Sequence, residues 1–266
     1  MVDVKLPSWA NSFGKDKYGY WANLRIKEQG QCFRWIEAGE FIMGSDYDEF
    51  GPDDEYPHKV KLSKGFWLAD TTCTQELWQL VMGDNPSKFK GKDLPVENVS
   101  SVEVDDFIQK INSLLETTIF DLPTETQWEY ACRAGTDTEY NYGNCASNEL
   151  MNVDKYQFKQ SDGKIPTVAV KSFARNNWGL YQMHGNVFEW CSDWWFDNWR
   201  RNSVIAESKG IVIDPANLDR EDSLSRIMRG GSWFHEAYYS RSACRGSLFS
   251  DWKCNYVGFR ILVKED

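Results

Sequence analysis

The chain has 266 residues, a net charge of −10 and a sequence pI of about 4.9. That balance lacks the basic footprint from which nucleic-acid binders draw affinity, so no nucleic acid is expected as a partner. No apolar run is long enough to cross a bilayer, so no transmembrane segment is expected, and the N-terminal stretch from Met1 to Phe13 has no hydrophobic signal core.

Residues 1–31 are polar and dotted with aromatics, and read as an arm or first helix packed on a main domain spanning 32–266. From Cys32 the pattern turns to strands. Phe33, Trp35 and Ile36 lead through a tight turn into Phe41-Ile42-Met43-Gly44, and Val60 and Leu62 alternate with lysines before Phe66-Trp67-Leu68. A short helix is expected from Thr74 to about Met82. Ser100 with Glu103 and Thr124 with Gln127 have the spacing of capping boxes, each opening a helix; Gly135 reads as the stop of the second. Beyond it lies a long loop-rich stretch with short strand-like pieces at Leu180-Tyr181 and Val187–Trp190, and such stretches in a domain are often tied down by a metal. The element count indicates an α+β fold with few helices and short antiparallel strands.

Aromatic residues make up 15% of the chain, with 13 Trp, which suits either core packing or a contact surface. The seven cysteines are scattered, with no C-x-x-C pair, against both a zinc ribbon and a fully paired disulfide framework. Cys32, Cys73, Cys132 and Cys191 read as small core hydrophobes. Asp105-Asp106 and Asp53-Asp54-Glu55 read as solvated faces, Arg200-Arg201 as a solvated loop, and no phosphate loop or Ser/His/Asp nucleophile pattern is present.

Near the C-terminus, Arg229-Gly230-Gly231-Ser232-Trp233 and Val257-Gly258-Phe259-Arg260 enclose a segment with neither helical nor strand periodicity. Its paired glycines mark a tight turn or a close backbone approach. The ends are expected to serve folding and the middle contact. Arg260, flanked by Val257, Ile261, Leu262 and Val263, is expected to be scaffold.

These bookends follow, in order, Phe41-Ile42-Met43-Gly44-Ser45, Leu122-Pro123-Thr124-Glu125-Thr126-Gln127-Trp128-Glu129 and Gly179–Trp190. Together, over residues 32–264, the motifs resemble the sulfatase-modifying-factor family, whose founding activity is formylglycine generation. The resemblance implies an elaborated C-type-lectin-like fold. The formylglycine-generating enzymes carry two copper-binding catalytic cysteines after the Gly-Gly-Ser motif; here those positions hold His235 and Ser240. Copper(I) is served by soft thiolates, so no copper and no catalysis are expected. The related sulfoxide synthases need a histidine-rich iron site, and this chain has 3 histidines.

The cassette at about 229–260 is also similar to the variable proteins of diversity-generating retroelements, in which adenine-directed mutagenesis rewrites asparagine codons. That resemblance implies contact roles for Phe234, His235, Tyr238, Tyr239, Cys244, Gly246, Ser247, Leu248, Cys254, Asn255 and Tyr256. Glu236, Trp252 and Lys253 are not reachable from an asparagine codon by adenine changes and would be fixed. Tyr239 and Phe249 can alternatively be core. The family also holds calcium, and the matching positions are Asn152, Val153, Asp162 and Lys164. A second, weaker set is Gln182, Gly185, Val187 and Glu189. Oxygen donors of this kind suit a hard cation, a metal-free Asx turn being the alternative at the first set.

The function expected is therefore a non-catalytic, receptor-like protein that displays a diversified C-terminal site to an unknown macromolecular ligand, a protein in preference to a small metabolite, at the cell surface. The alternative is an oxygen-dependent oxidase of the same fold that recruits Cys244 and Cys254.

Overall fold

The computed structural model describes residues 5–45, 55–154, 166–195, 210–220 and 223–264. Its largest sheet begins in the N-terminal segment. β1 (Ser12–Asp16) and β2 (Gly19–Ile26) form a hairpin that continues antiparallel into β3 (Gln29–Ile36). The sheet then runs through β6 (Phe66–Ala69), β13 (Leu262–Lys264) and β7 (Phe120–Asp121). The first segment is therefore strand and not helix, and the expected division at residue 31 falls inside β3. Trp9 anchors the segment, packing edge-on against Phe33, Trp67 and Phe120.

A second sheet has the order β11 (Arg245–Phe249), β10 (Ser225–Arg229), β8 (Phe188–Trp194) and β12 (Val257–Phe259). It contains most of the C-terminal cassette. β12 lies parallel to β8 while β10 is antiparallel to both of its neighbours. A small third sheet joins β4 (Gly39–Met43), β5 (His58–Leu62) and β9 (Val212–Ile213).

The helices fall where the capping chemistry places them. In α1 (Gln75–Met82) the Thr74 side chain accepts from the Leu77 amide. α2 (Ser101–Leu114) and α3 (Glu125–Arg133) both start with complete reciprocal capping boxes, at Ser100/Glu103 and Thr124/Gln127. α3 closes where expected: Arg133 is its last residue, Ala134 (φ 47°) its cap, and the left-handed Gly135 (φ 86°) follows directly. Val104, Phe107, Ile108 and Ile111 of α2 are buried on one face, whereas Leu114 in its last turn is exposed. Leu180-Tyr181 forms no strand; Tyr181 makes an isolated bridge to Arg175.

Two apolar clusters flank the second sheet. One gathers α2, Trp190, Met228 and Phe259 with the large sheet; the other gathers α3, Leu180, Met183 and Ile227. Of the cysteines assigned to the core, Cys73, Cys132 and Cys191 are buried, but Cys32 is only half-buried.

Candidate binding surface

The cassette is built on two fully buried arginines. Arg229 donates from Nη1 to the carbonyls of Ala243 (2.7 Å) and Cys244 (2.6 Å), and from Nη2 to that of Ser242 (2.9 Å) and to the Glu129 carboxylate. Its guanidinium thus satisfies three consecutive carbonyls of a loop that no sheet or helix pairs. Arg260 donates to Ala69 and Tyr181 carbonyls and, through Nε and Nη2, to both oxygens of Glu189 at 2.9 and 2.8 Å. The scaffold role expected of Arg260 follows directly from these bonds.

The ionic frame extends through α3. Glu129 also accepts from Arg133 Nε and the Gly44 amide, and Glu125 takes a two-point contact from Arg245. Burial alone would raise the Glu129 carboxyl, but Arg133, Arg229 and the Gly44 amide hold it below the ordinary range. Glu55, read from sequence as part of a solvated loop, is instead buried and pairs through both oxygens with Arg241 at 2.8 and 2.9 Å.

From this frame the chain turns at two successive left-handed glycines, Gly230 (φ +97°) and Gly231 (φ +71°). A Cβ on Gly231 would lie 2.0 Å from Ser240 Oγ, so glycine is required by space as well as by φ. The closing 3-10 turn, Ala237–Ser240, is held by His184: Nδ1 donates to the Ser240 carbonyl at 2.7 Å while Nε2 accepts from the Asn141 amide at 3.0 Å. Those two bonds fix a neutral imidazole, and burial lowers its pKa to about 4. Trp233 Nε1 donates to the Asn255 carbonyl at 3.0 Å and so ties the opening of the cassette to its exit.

On this base stands an array of rings. Phe234 stacks on Tyr256 with centroids 5.7 Å apart and an 11° tilt. His235 is edge-on to Tyr256, Tyr239 and Phe188, and Tyr238 is edge-on to Tyr239. Trp233 continues the array to Phe89, a residue outside the cassette. Phe234 is 43% and Tyr239 44% exposed, so Tyr239 belongs to the surface and not the core. The fold thereby brings together Phe234, His235, Tyr238, Tyr239 and Tyr256. Gly246, Ser247 and Leu248 sit on the edge strand β11, half-buried, and Cys254 and Asn255 are half-buried at the cassette exit. Cys244 is 3% exposed and offers no surface, because its carbonyl is drawn inward by Arg229; it leaves the contact set. Phe249 is exposed, not core.

Copper does not fit the family's cysteine positions here. Ser240 is fully buried and supplies a hydroxyl, and His235 lends its Nδ1 to a 2.7 Å hydrogen bond with Ser232. The second calcium set does not fit either. The Glu189 carboxylate is neutralised by Arg260 and accepts a further bond from Trp128 Nε1, and the Gln182 side-chain oxygen accepts from Asn186 Nδ2. In the first set, Asn152 is buried, with its amide nitrogen donating to the Pro166 carbonyl at 3.1 Å, and Val153 is buried beside it. Asp162 and Lys164, like Asp53, Asp54 and the Arg200-Arg201 pair, lie outside the described residues.

Few helices, short strands and long loops pinned by buried ion pairs define a C-type-lectin-like domain. The chain belongs to the sulfatase-modifying factor enzyme 1-like domain family, which it matches over residues 24–265. Among curated relatives, a formylglycine-generating enzyme of Thermomonospora curvata is 37% identical over 150 residues, covering 52% of this chain and 48% of that enzyme. The chain thus spans about half the length of that relative. Among solved structures, Treponema denticola variable protein 1 superimposes with a TM-score of 0.77 at 24% identity, covering 92% of this chain and 99% of that one. PvdO from Pseudomonas aeruginosa superimposes with a TM-score of 0.72 at 21% identity, covering 96% and 99%. At such identities the structural likeness establishes the fold.

Proposed function

We propose that this protein is a non-catalytic binding protein that holds a macromolecular partner, a protein, on the cassette surface. The carrying observation is the array of Phe234, His235, Tyr238, Tyr239 and Tyr256, packed ring on ring above a buried arginine frame. Aromatic side chains with few rotatable bonds, fixed by a rigid base, offer contact area at small entropic cost. The resemblance to variable proteins supports diversification of this surface, and display at a cell surface is part of the same reading. So is calcium held by Asn152, Val153, Asp162 and Lys164.

The relative at 37% identity keeps an oxidase reading in view, with Cys244 and Cys254 as the thiols. Burial of Cys244 weighs against it. Anaerobic copper(I) titration separates the two: weak binding and no oxygen-dependent turnover of a cysteine peptide are expected, whereas a tight thiolate complex with turnover would overturn the binding reading. The diversification is tested in the source genome. A near-duplicate of the segment encoding residues 229–260, differing at adenines and lying beside a reverse transcriptase gene, is expected; a sulfatase neighbour without a duplicate is the contrary result.

A further inference from the structure

Both faces of the second sheet are covered, but among the described residues no strand pairs with the outer side of β11. Met228 and Leu248 pack toward the α2 side, and Ile227 with Arg229 toward α3. β11 ends the sheet, and among the described residues it pairs with β10 alone.

The register fixes which backbone groups face outward. The Ser250 amide donates to the Leu224 carbonyl, and the pairs Arg226–Leu248 and Met228–Gly246 continue the same alternation. Residues 246 and 248 therefore direct their amides and carbonyls at β10, and Ser250 its amide, its carbonyl accepting instead from Ser101 Oγ and the Val102 amide, while the odd positions direct theirs away. The Trp195 amide bonding to the Ser225 carbonyl on the far side of β10 agrees with this phase. Ser247 thus presents both N–H and C=O outward, and Phe249 its N–H, the Phe249 carbonyl being taken by the Trp252 amide. Small residues at Gly246 and Ser247 leave the row unobstructed. At its end, Phe249 and Trp252 stand 5.1 Å apart and are 43% and 54% exposed.

We propose that the partner of this surface is a polypeptide bound in extended conformation, added antiparallel to β11 as a further strand. An alternating row of amides and carbonyls is matched only by another extended main chain. The residue facing Ser247 exchanges two hydrogen bonds with it. The residue two positions N-terminal in the partner faces Phe249 and places an apolar or aromatic side chain against the Phe249–Trp252 pair. This rests on the binding reading above and deepens it. Main-chain bonds do not depend on side-chain identity, so the edge supplies constant affinity while diversified residues at 246, 247 and 248 set specificity.

The test uses a random peptide library panned against the folded chain, followed by binding measurements on a selected peptide. Ser247→Pro removes the outward N–H and leaves the β10 ladder intact; it should weaken binding about tenfold or more, while Ser247→Ala retains it. Trp252→Ala should weaken peptides with an apolar residue at the position facing Phe249. N-methylation along the peptide should cost affinity at every second residue, a readout that does not depend on whether the Pro variant folds. An aperiodic N-methyl scan, or failure to select any peptide, overturns strand addition. Peptides lost on Phe234→Ala but untouched by Ser247→Pro would also overturn it while leaving the binding reading standing. Peptides that need Ser247 and ignore Phe234, Tyr239 and Tyr256 would support strand addition and sink the ring array as the contact site.

Discussion

Two regions of the same short cassette are built on opposite principles. At Arg229 and Arg260 each side chain is fully buried and bonded to a carboxylate and to main-chain carbonyls, three consecutive ones for Arg229 and those of two separate segments for Arg260. Phe234, Tyr239 and Tyr256 are instead linked ring to ring, each against His235, with Phe234 and Tyr239 reaching solvent. In the first region a side chain is fixed by what it must satisfy, and in the second it is constrained mostly by size. The difference shows how a loop can tolerate changed side chains: Arg229 holds the main chain at Ser242–Cys244 and His184 holds it at Ser240, neither through the rings the loop presents.

The largest effect should come from breaking the frame. Arg229→Ala leaves the Glu129 charge short of a partner and three loop carbonyls without donors. A buried ion pair broken on one side costs roughly 3–5 kcal/mol, so the variant should show a large drop in Tm or fail to accumulate folded. Arg229→Lys should recover only part, since one ammonium cannot reach the carbonyls of Ser242, Ala243 and Cys244 together with a carboxylate. Near-native stability of Arg229→Ala would dissolve the distinction between frame and surface.

Calcium removal should come next, and it tests whether the loop-rich half is held as firmly as the arginine frame. A cation bound only by the native chain, present at about a hundredfold over its Kd, stabilises by about 2.7 kcal/mol. A chelator should therefore lower Tm by several degrees, and Asp162→Ala should abolish the response. An unchanged Tm in chelator would leave an Asx turn at Asn152.

Much of this frame was legible before the structure. The capping boxes of α2 and α3 are local chemistry, four residues long, and could be read directly. The bookends of the cassette could be recognised as scaffold because Gly230-Gly231 demand a special backbone and Arg260 is flanked by apolar residues, although it lies between β12 and β13 and not within one continuous strand. What could not be read was long-range pairing. Glu55 looks like any acidic loop residue until Arg241, far away in the chain, is brought beside it. Glu189 looked like a cation ligand because nothing local reveals that Arg260 occupies its carboxylate. The first segment reads as an arm or helix because it is polar and dotted with aromatics without clean alternation; the β2–β3 register and the packing of Trp9 define its strands. Phe89 gave no signal at all, since its role is only its contact with Trp233.

That contact gives a smaller, pH-dependent effect. The buried Glu97 accepts from the Phe89 amide at 2.9 Å, and its other oxygen lacks a hydrogen-bond partner. Burial raises its pKa from 4.5 to about 7, against the amides of Phe89 and Lys88 and the nearby Lys90 and Lys88 charges. A folded-state pKa above the unfolded one means its contribution is complete below the unfolded value and is lost as pH rises through the folded one. Glu97→Gln keeps an acceptor for Phe89 and removes the charge. It should raise Tm by about 2–4 °C near pH 8 and have little effect near pH 5. An equal effect at both pH values would mean that the carboxyl is ionised throughout and the packing of Phe89 on Trp233 is insensitive to it.

The smallest expected effect on stability is the most telling for function. Phe234→Ser and Tyr239→Ser remove rings that are 43% and 44% exposed. Substitutions at such positions usually stay within about 0.5 kcal/mol, so melting curves should nearly superimpose on that of the parent chain. Binding should respond in the opposite sense, because a ring at the centre of a contact surface can contribute 2 kcal/mol or more, roughly thirtyfold in Kd. A large loss of Tm in either variant would mean that the array is part of the core that holds Trp233 and the cassette exit together. The chain would then have no separate presenting layer, and a diversified surface at these positions would be physically untenable.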